Sequence, residues 1–136
     1  MKTHTPGRID WPALLKAARR VRANAYAPYS KYKVGAAVLG GSGRIYAGCN
    51  VENSSFGLTI CAERSAIVQA ISGGEQEIVA CAIAVGPRPA PSCGMCRQVF
   101  AEFADPSMPL VLSAGRTREL HTLGELLPHA FGSHHF

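Results

Sequence analysis

Three of the five cysteines, together with one glutamate, have the residue types and spacing of a site that can do chemistry. Cys61-Ala62-Glu63-Arg64 is followed further along the chain by Cys93-Gly94-Met95-Cys96. A Cys-x-x-Cys pair reads either as a redox dithiol or as half of a metal site. Both fragments fall at expected helix starts, where the helix dipole and free backbone N–H groups favour thiolates. Three thiolates so placed can hold a zinc ion and leave one tetrahedral position open. Glu63, two residues after Cys61, is too close to share the metal comfortably and stands instead beside the open position. Water on such a metal has its pKa lowered from about 15.7 toward about 7, so a carboxylate there has a proton to take. The alternatives are a redox pair, or a closed four-cysteine site completed by Cys49 or Cys81 with Glu63 an ordinary acid of a first helical turn. Three thiolates against Zn²⁺ leave a net negative charge. Arg64 can donate to the sulfurs and offset it, or be a solvated helix arginine.

Around these residues the chain shows recognisable elements. Asp10 is a good N-cap and Pro12 suits a first helical turn. Trp11, Leu14, Leu15, Ala18, Val21 and Ala25 then recur at helical spacing up to the turn-rich Ala27-Pro28-Tyr29-Ser30. Val34–Leu39 and Arg44–Asn50 read as two strands joined by Gly40-Gly41-Ser42-Gly43, a hairpin signal. A helix over Cys61–Ile71 stops at Gly73-Gly74, and Val79–Val85 has the unbroken apolar run of a strand covered on both faces. Pro87, Pro89 and Pro91 stiffen the next loop, and a third helix is expected from near Cys93 to Phe103. Leu110–Ser113 and a short segment around Leu120–Leu123 read as further strands. Leu126–Phe131 closes the chain. This order argues for an α/β layered fold.

A hydrophobic fraction of 47% and a charged fraction of 17% exclude disorder, and 136 residues fit one domain over 1–136, with about nine N-terminal and five C-terminal residues flexible. The formal charge of +5 raises nucleic acid as a partner. The cations are scattered, however, with Lys16, Arg19, Arg20 and Arg22 together and Arg88, Arg97, Arg116 and Arg118 elsewhere, so a solvated surface is expected and nucleic acid is not. No apolar stretch approaches the roughly 20 residues that span a bilayer. The first eleven residues, Met1 to Trp11, lack the apolar core of a signal peptide. A cytoplasmic protein with reduced cysteines is therefore expected. Cys49 and Cys81 read as small buried strand residues, and the tail histidines His129, His134 and His135 as solvated.

The cysteine fragments stand in a wider pattern: Ala27-Pro28-Tyr29-Ser30-Lys31-Tyr32-Lys33-Val34-Gly35-Ala36-Ala37, Gly48-Cys49-Asn50-Val51-Glu52-Asn53, Arg97-Gln98 after Cys96, and Glu125-Leu126-Leu127-Pro128. In this order, from roughly Asp10 to Phe131, the sequence resembles the small, three-cysteine zinc type of the cytidine deaminase family. The resemblance implies a three-layer α/β/α domain with a mixed five-stranded sheet, assembled as a homotetramer. It implies one zinc per subunit on Cys61, Cys93 and Cys96, with Glu63 as proton shuttle. The implied reaction is hydrolytic deamination of cytidine and deoxycytidine to uridine and deoxyuridine with release of ammonia, in pyrimidine salvage. Asn50 and Glu52 match positions that hydrogen-bond the sugar hydroxyls; on one strand, alternate residues point the same way. Tyr32 stands where the family commonly has Phe against the pyrimidine, Ala62 is a further substrate contact, and Phe131 matches an aromatic that reaches a neighbouring subunit's site. Phe56 lines the pocket or packs in the core.

The family usually shows Ser-Pro-Cys before the second ligand, whereas this chain has Pro91-Ser92-Cys93. Moving the proline changes the approach to Cys93 and offers the Ser92 hydroxyl as an N-cap. That departure, Tyr32 and the positive charge keep a second reading open, deamination of another cytosine-containing compound such as an antibiotic or modified nucleoside. A non-catalytic, zinc-stabilised binding module is the reading outside enzymology.

Overall fold

The computed structural model describes residues 8–88, 90 and 92–136; the expectations for residues 1–7, Pro89 and Pro91 lie outside them. Helix α1 (Trp11–Arg22) starts as expected. Asp10 Oδ1 accepts from the Ala13 N–H at 3.0 Å, and Pro12 occupies the first turn, where no N–H is required. The helix stops at Arg22, so Ala25 is buried beyond it rather than on it. Strands β1 (Gly35–Gly40) and β2 (Ile45–Cys49) form the hairpin, with Gly43 at φ 92 in its turn. Helix α2 (Ala62–Ser72), strand β3 (Ile78–Val85), helix α3 (Gly94–Phe103) and strand β4 (Pro109–Ala114) follow.

The end of the chain departs from the sequence reading. Strand β5 covers Thr117–Thr122, and Leu123 belongs to a short helix α4 (Leu123–Leu126), in which Thr122 Oγ1 accepts from Glu125 N–H. The hairpin that creates β5 turns on Gly115 at φ 59, a conformation glycine adopts without a Cβ clash. The mostly exposed, polar sequence of β5 gave no alternation to read.

The sheet order is β2-β1-β3-β4-β5, with β3–β4 parallel and the other pairs antiparallel. Strand period then divides β3 between two cores. Ala80, Ala82 and Ala84 face Leu14, Leu15 and Ala18 of α1, while Cys81, Ile83 and Val85 share the opposite core with Ala66, Ile67 and Phe100 of α2 and α3. The result is the three-layer α/β/α domain with a mixed five-stranded sheet that the sequence pointed to. Small residues set the interlayer distance. A Cβ on Gly48 would lie 2.5 Å from Ala66 N and 2.6 Å from Ser65 Cβ, so this glycine lets the first turns of α2 press onto β2. No helix among the described residues is long and apolar enough to cross a membrane.

Candidate active site

Three chain segments meet where β1 begins and where β2 and β3 end, since Gly35 pairs with both Cys49 and Ala84. Helices α2 and α3 start at this same edge. Their N-caps are Cys61 (φ −73, ψ 156) and Cys93 (φ −74, ψ 159), two nearly identical extended residues. Each places a sulfur over its own helix N-terminus, where the dipole favours negative charge. Cys96, one turn into α3, adds the third, and its N–H donates to Cys93 Sγ at 3.4 Å.

Cys61 Sγ lies 3.7 Å from Cys93 Sγ, and Cys93 Sγ 3.1 Å from Cys96 Sγ. None of the three is in a disulfide. Sulfurs on one zinc at about 2.3 Å stand roughly 3.8 Å apart in a tetrahedron, so the first separation already has that spacing and the second needs to open by several tenths of an ångström. Cys61, Cys93 and Cys96 are the one group of metal-capable side chains among the described residues, and neither Cys49 nor Cys81 joins them. Cys81 is buried in the core between β3 and α2, and Cys49 is half-buried on β2. The closed four-cysteine alternative thus finds no fourth sulfur.

Hydrogen bonds donated by Cys96 and Cys93, with help from Arg64 and against burial, lower the Cys61 thiol to about 5. Cys96 is pushed up by its bond to Cys61 and by burial. The cluster therefore favours negative charge, and a divalent cation bound by all three sulfurs would displace its remaining thiol protons. Arg64 stands beside this charge. Its Nη2 donates to Thr59 O at 3.0 Å and reaches Cys61 Sγ at 4.0 Å, while its buried Nε has no hydrogen-bond partner.

Glu63, second residue of α2, is 5% exposed and borders the cavity that opens onto Cys61 and Cys93. Burial raises its pKa, reinforced by the Cys61 charge and opposed by its own N–H, Cys96 and Arg64. The cavity, of about 250 Å³, is walled by Ala62 and Glu63 of α2, Ile83 and Val85 of β3, Tyr32, Val34, Asn50, Glu52 and the segment holding Ala90 and Ser92.

Asn50 and Glu52 are not on β2, which ends at Cys49; they flank Val51, which bridges singly to Tyr26 and Ile60. The alternation survives: both are buried toward the cavity and Val51 is exposed. Asn50 accepts from Val34 N–H and donates to Tyr32 O, both at 2.9 Å. Glu52 accepts from the N–H groups of Tyr29 and Ser30 at 3.0 and 3.1 Å and from the Ser30 hydroxyl. The Ser30 hydroxyl leads the causes that lower the Glu52 carboxyl, which stays ionised. These bonds hold a turn in which Lys31 has φ 61, a conformation costing on the order of 1 kcal/mol for a residue with a Cβ. Ser30 had no role assigned from sequence, although it stands in the quoted Ala-Pro-Tyr-Ser segment; a hydroxyl's partner 22 residues away is invisible to local pattern.

Tyr32 is half-buried on the cavity wall, and its hydroxyl donates to Arg88 O at 3.1 Å. Burial raises that hydroxyl's pKa, against the pull of Arg22. Phe131 is 58% exposed and outside this chain's own cavity, stacked on His135 with ring centres 5.3 Å apart. Phe56, 75% exposed against the edge of Tyr29, neither lines the cavity nor enters the core. Ser92 is not an N-cap: Cys93 takes that position, and the Ser92 hydroxyl instead accepts from Arg97.

An α/β/α domain whose sheet edge gathers three thiolate-forming sulfurs, a buried acid and a pocket has the build of a metal-dependent hydrolytic enzyme. Residues 11–112 match the family described as the cytidine and deoxycytidylate deaminase zinc-binding region, and the chain belongs to that family. It is 46% identical over 126 residues to a cytidine deaminase of Halalkalibacterium halodurans, covering 90% of this chain and 95% of that one. A cytidine deaminase of Sporosarcina psychrophila is 44% identical, with 90% and 92% covered. The crystal structure of cytidine deaminase from Burkholderia pseudomallei superposes with a TM-score of 0.85 at 41% identity, over 90% of this chain and all of the other. The zinc expected from the sequence accords with both the family and the three-sulfur cluster.

Proposed function

We propose that this chain catalyses zinc-dependent hydrolytic deamination of cytidine and deoxycytidine, giving the uridine nucleosides and ammonia. The observation that carries the reading is the buried carboxyl of Glu63 bordering a pocket that opens onto Cys61 and Cys93. Cys61, Cys93 and Cys96 hold the zinc, which when bound supplies Lewis acidity to a water and so eases its deprotonation. Glu63 takes the water's proton as the oxygen adds to C4 and delivers it to N3. Glu63 then carries the remaining proton of the added hydroxyl to the exocyclic amine, so that the C4–N bond breaks, the C4 carbonyl forms and ammonia leaves. Asn50 and Glu52 hold the sugar hydroxyls with the lone pairs and N–H left free by their backbone bonds. Ala62 contacts the base and Tyr32 packs against it. Arg64 offsets the charge of the sulfurs.

Incubation of the zinc-loaded protein with cytidine or deoxycytidine should give loss of the cytidine absorbance and release of ammonia. No turnover with either nucleoside sinks the proposal, and turnover only of another cytosine compound supports the second enzyme reading. Tyr32→Phe keeps the ring and removes the bond to Arg88 O. Because that bond is internal and the ring facing the base is kept, we expect stability to fall by about 1 kcal/mol while KM and kcat stay within about threefold; thermal melting and steady-state kinetics at saturating zinc check this.

A homotetramer fits the band of exposed apolar side chains beside the pocket, Tyr26, Tyr29, Val51, Phe56, Leu58 and Ile60. In that assembly Phe131, exposed and away from its own pocket, reaches a neighbour's site. A single-domain cytoplasmic enzyme of pyrimidine salvage fits the reduced cysteines that the metal needs.

A further inference from the structure

We propose that Arg97 and Ser92 are a positioning pair that sets the metal ligand Cys93 and the pocket wall beside it. This rests on the three-sulfur zinc centre proposed above. Cys93 is the exposed member of the three, whereas Cys96 is buried, so beyond the one N–H of Cys96 that the Cys93 sulfur accepts, its direction depends on what holds the backbone entering α3. That backbone comes from an irregular segment after β3, described at 86–88, 90 and 92, with no strand or helix of its own.

One guanidinium supplies the missing hold. Arg97 Nε donates to Ser92 Oγ at 3.1 Å, and its Nη1 donates to Leu126 O at the end of α4 at 2.9 Å. The Arg97 N–H also donates to Cys93 O at 3.1 Å, closing the first turn of α3. A single side chain thus ties the residue before Cys93, the helix bearing two sulfurs and the end of α4. Ser92 is itself 8% exposed and forms part of the cavity wall. Hydrogen bonds from a charged donor are the stronger ones. Losing a partner that orients a metal ligand typically costs about 10–100-fold in metal affinity or activity.

The test follows zinc release to a chromogenic chelator from purified, zinc-loaded protein, together with KM, kcat and thermal melting. Ser92→Ala removes one oxygen from a chain that should still fold. It is expected to release zinc about tenfold faster and, fully loaded, to raise KM about threefold at nearly constant kcat. Ser92→Thr keeps the hydroxyl and should restore both values to within about twofold. Arg97→Met should add less in the Ser92→Ala background than in the unaltered chain, because the two changes remove the same bond. Release and KM unchanged in Ser92→Ala, failure of Ser92→Thr to restore them, or full additivity with Arg97→Met each overturn the pair. An unaltered protein that binds no zinc overturns the centre and the pair together, whereas zinc binding without deamination defeats only the proposed reaction.

Discussion

Glu63→Gln should leave a folded, zinc-loaded protein whose kcat on cytidine has fallen by about 10²–10⁴-fold or more, the usual worth of general acid–base help. The amide is close in size to the carboxyl, so the buried position at the second residue of α2 is filled without a cavity. It cannot accept a proton from water and pass it on. Burial already raises the pKa of this carboxyl, moving it from the ordinary range of a surface acid toward the pH at which a carboxyl both takes and gives protons. Metal analysis and steady-state kinetics on the same sample check both halves. A kcat within tenfold of the unaltered protein would remove Glu63 from the reaction.

Cys96→Ser is expected to abolish activity and also to lower stability. Cys96 is fully buried at the start of α3 and joined through Cys93 to the sulfur that α2 presents, so a zinc ion there would pin the two helix starts together. Binding that occurs only in the folded chain adds about 4 kcal/mol when free zinc is a thousandfold above Kd, a large share of the roughly 5–15 kcal/mol of a typical domain. The unaltered protein should therefore melt well above its chelator-treated form, by about 4–8 °C for each kcal/mol in the smallest domains and somewhat less at this size. In Cys96→Ser that gap should close. A gap that persists would mean that zinc stabilises the chain from somewhere else.

Much of this was legible in residue order. The Asp10 cap with Pro12 behind it, the glycine-rich hairpin and the apolar run of β3 each obey a local rule, and each element formed. The fragments Cys61-Ala62-Glu63 and Cys93-Gly94-Met95-Cys96 named their three sulfurs and acid because an N-cap position and one helical turn are local geometry. Where the order misled, the cause was non-local. The N-cap of α3 is Cys93, whose sulfur accepts from Cys96 N–H, while the Ser92 hydroxyl accepts from Arg97, whose other end is held by Leu126 O 29 residues away. Phe56 was drawn to Tyr29 and not to the pocket.

The sequence by itself determined which side chains are proposed to carry the chemistry and which helix turns present them, since capping, period and dipole act within a few residues. Only the tertiary structure decided that the two cysteine fragments meet. That depends on β1 lying between β2 and β3, with Gly35 opposite both Cys49 and Ala84, so that two helix starts come to one sheet edge. It also decided that Ser30 anchors Glu52, that Tyr32 holds Arg88 and that Arg97 reaches Leu126. These partners lie 22 to 56 residues apart, and a hydrogen bond across such a distance is specified by packing rather than by local propensity.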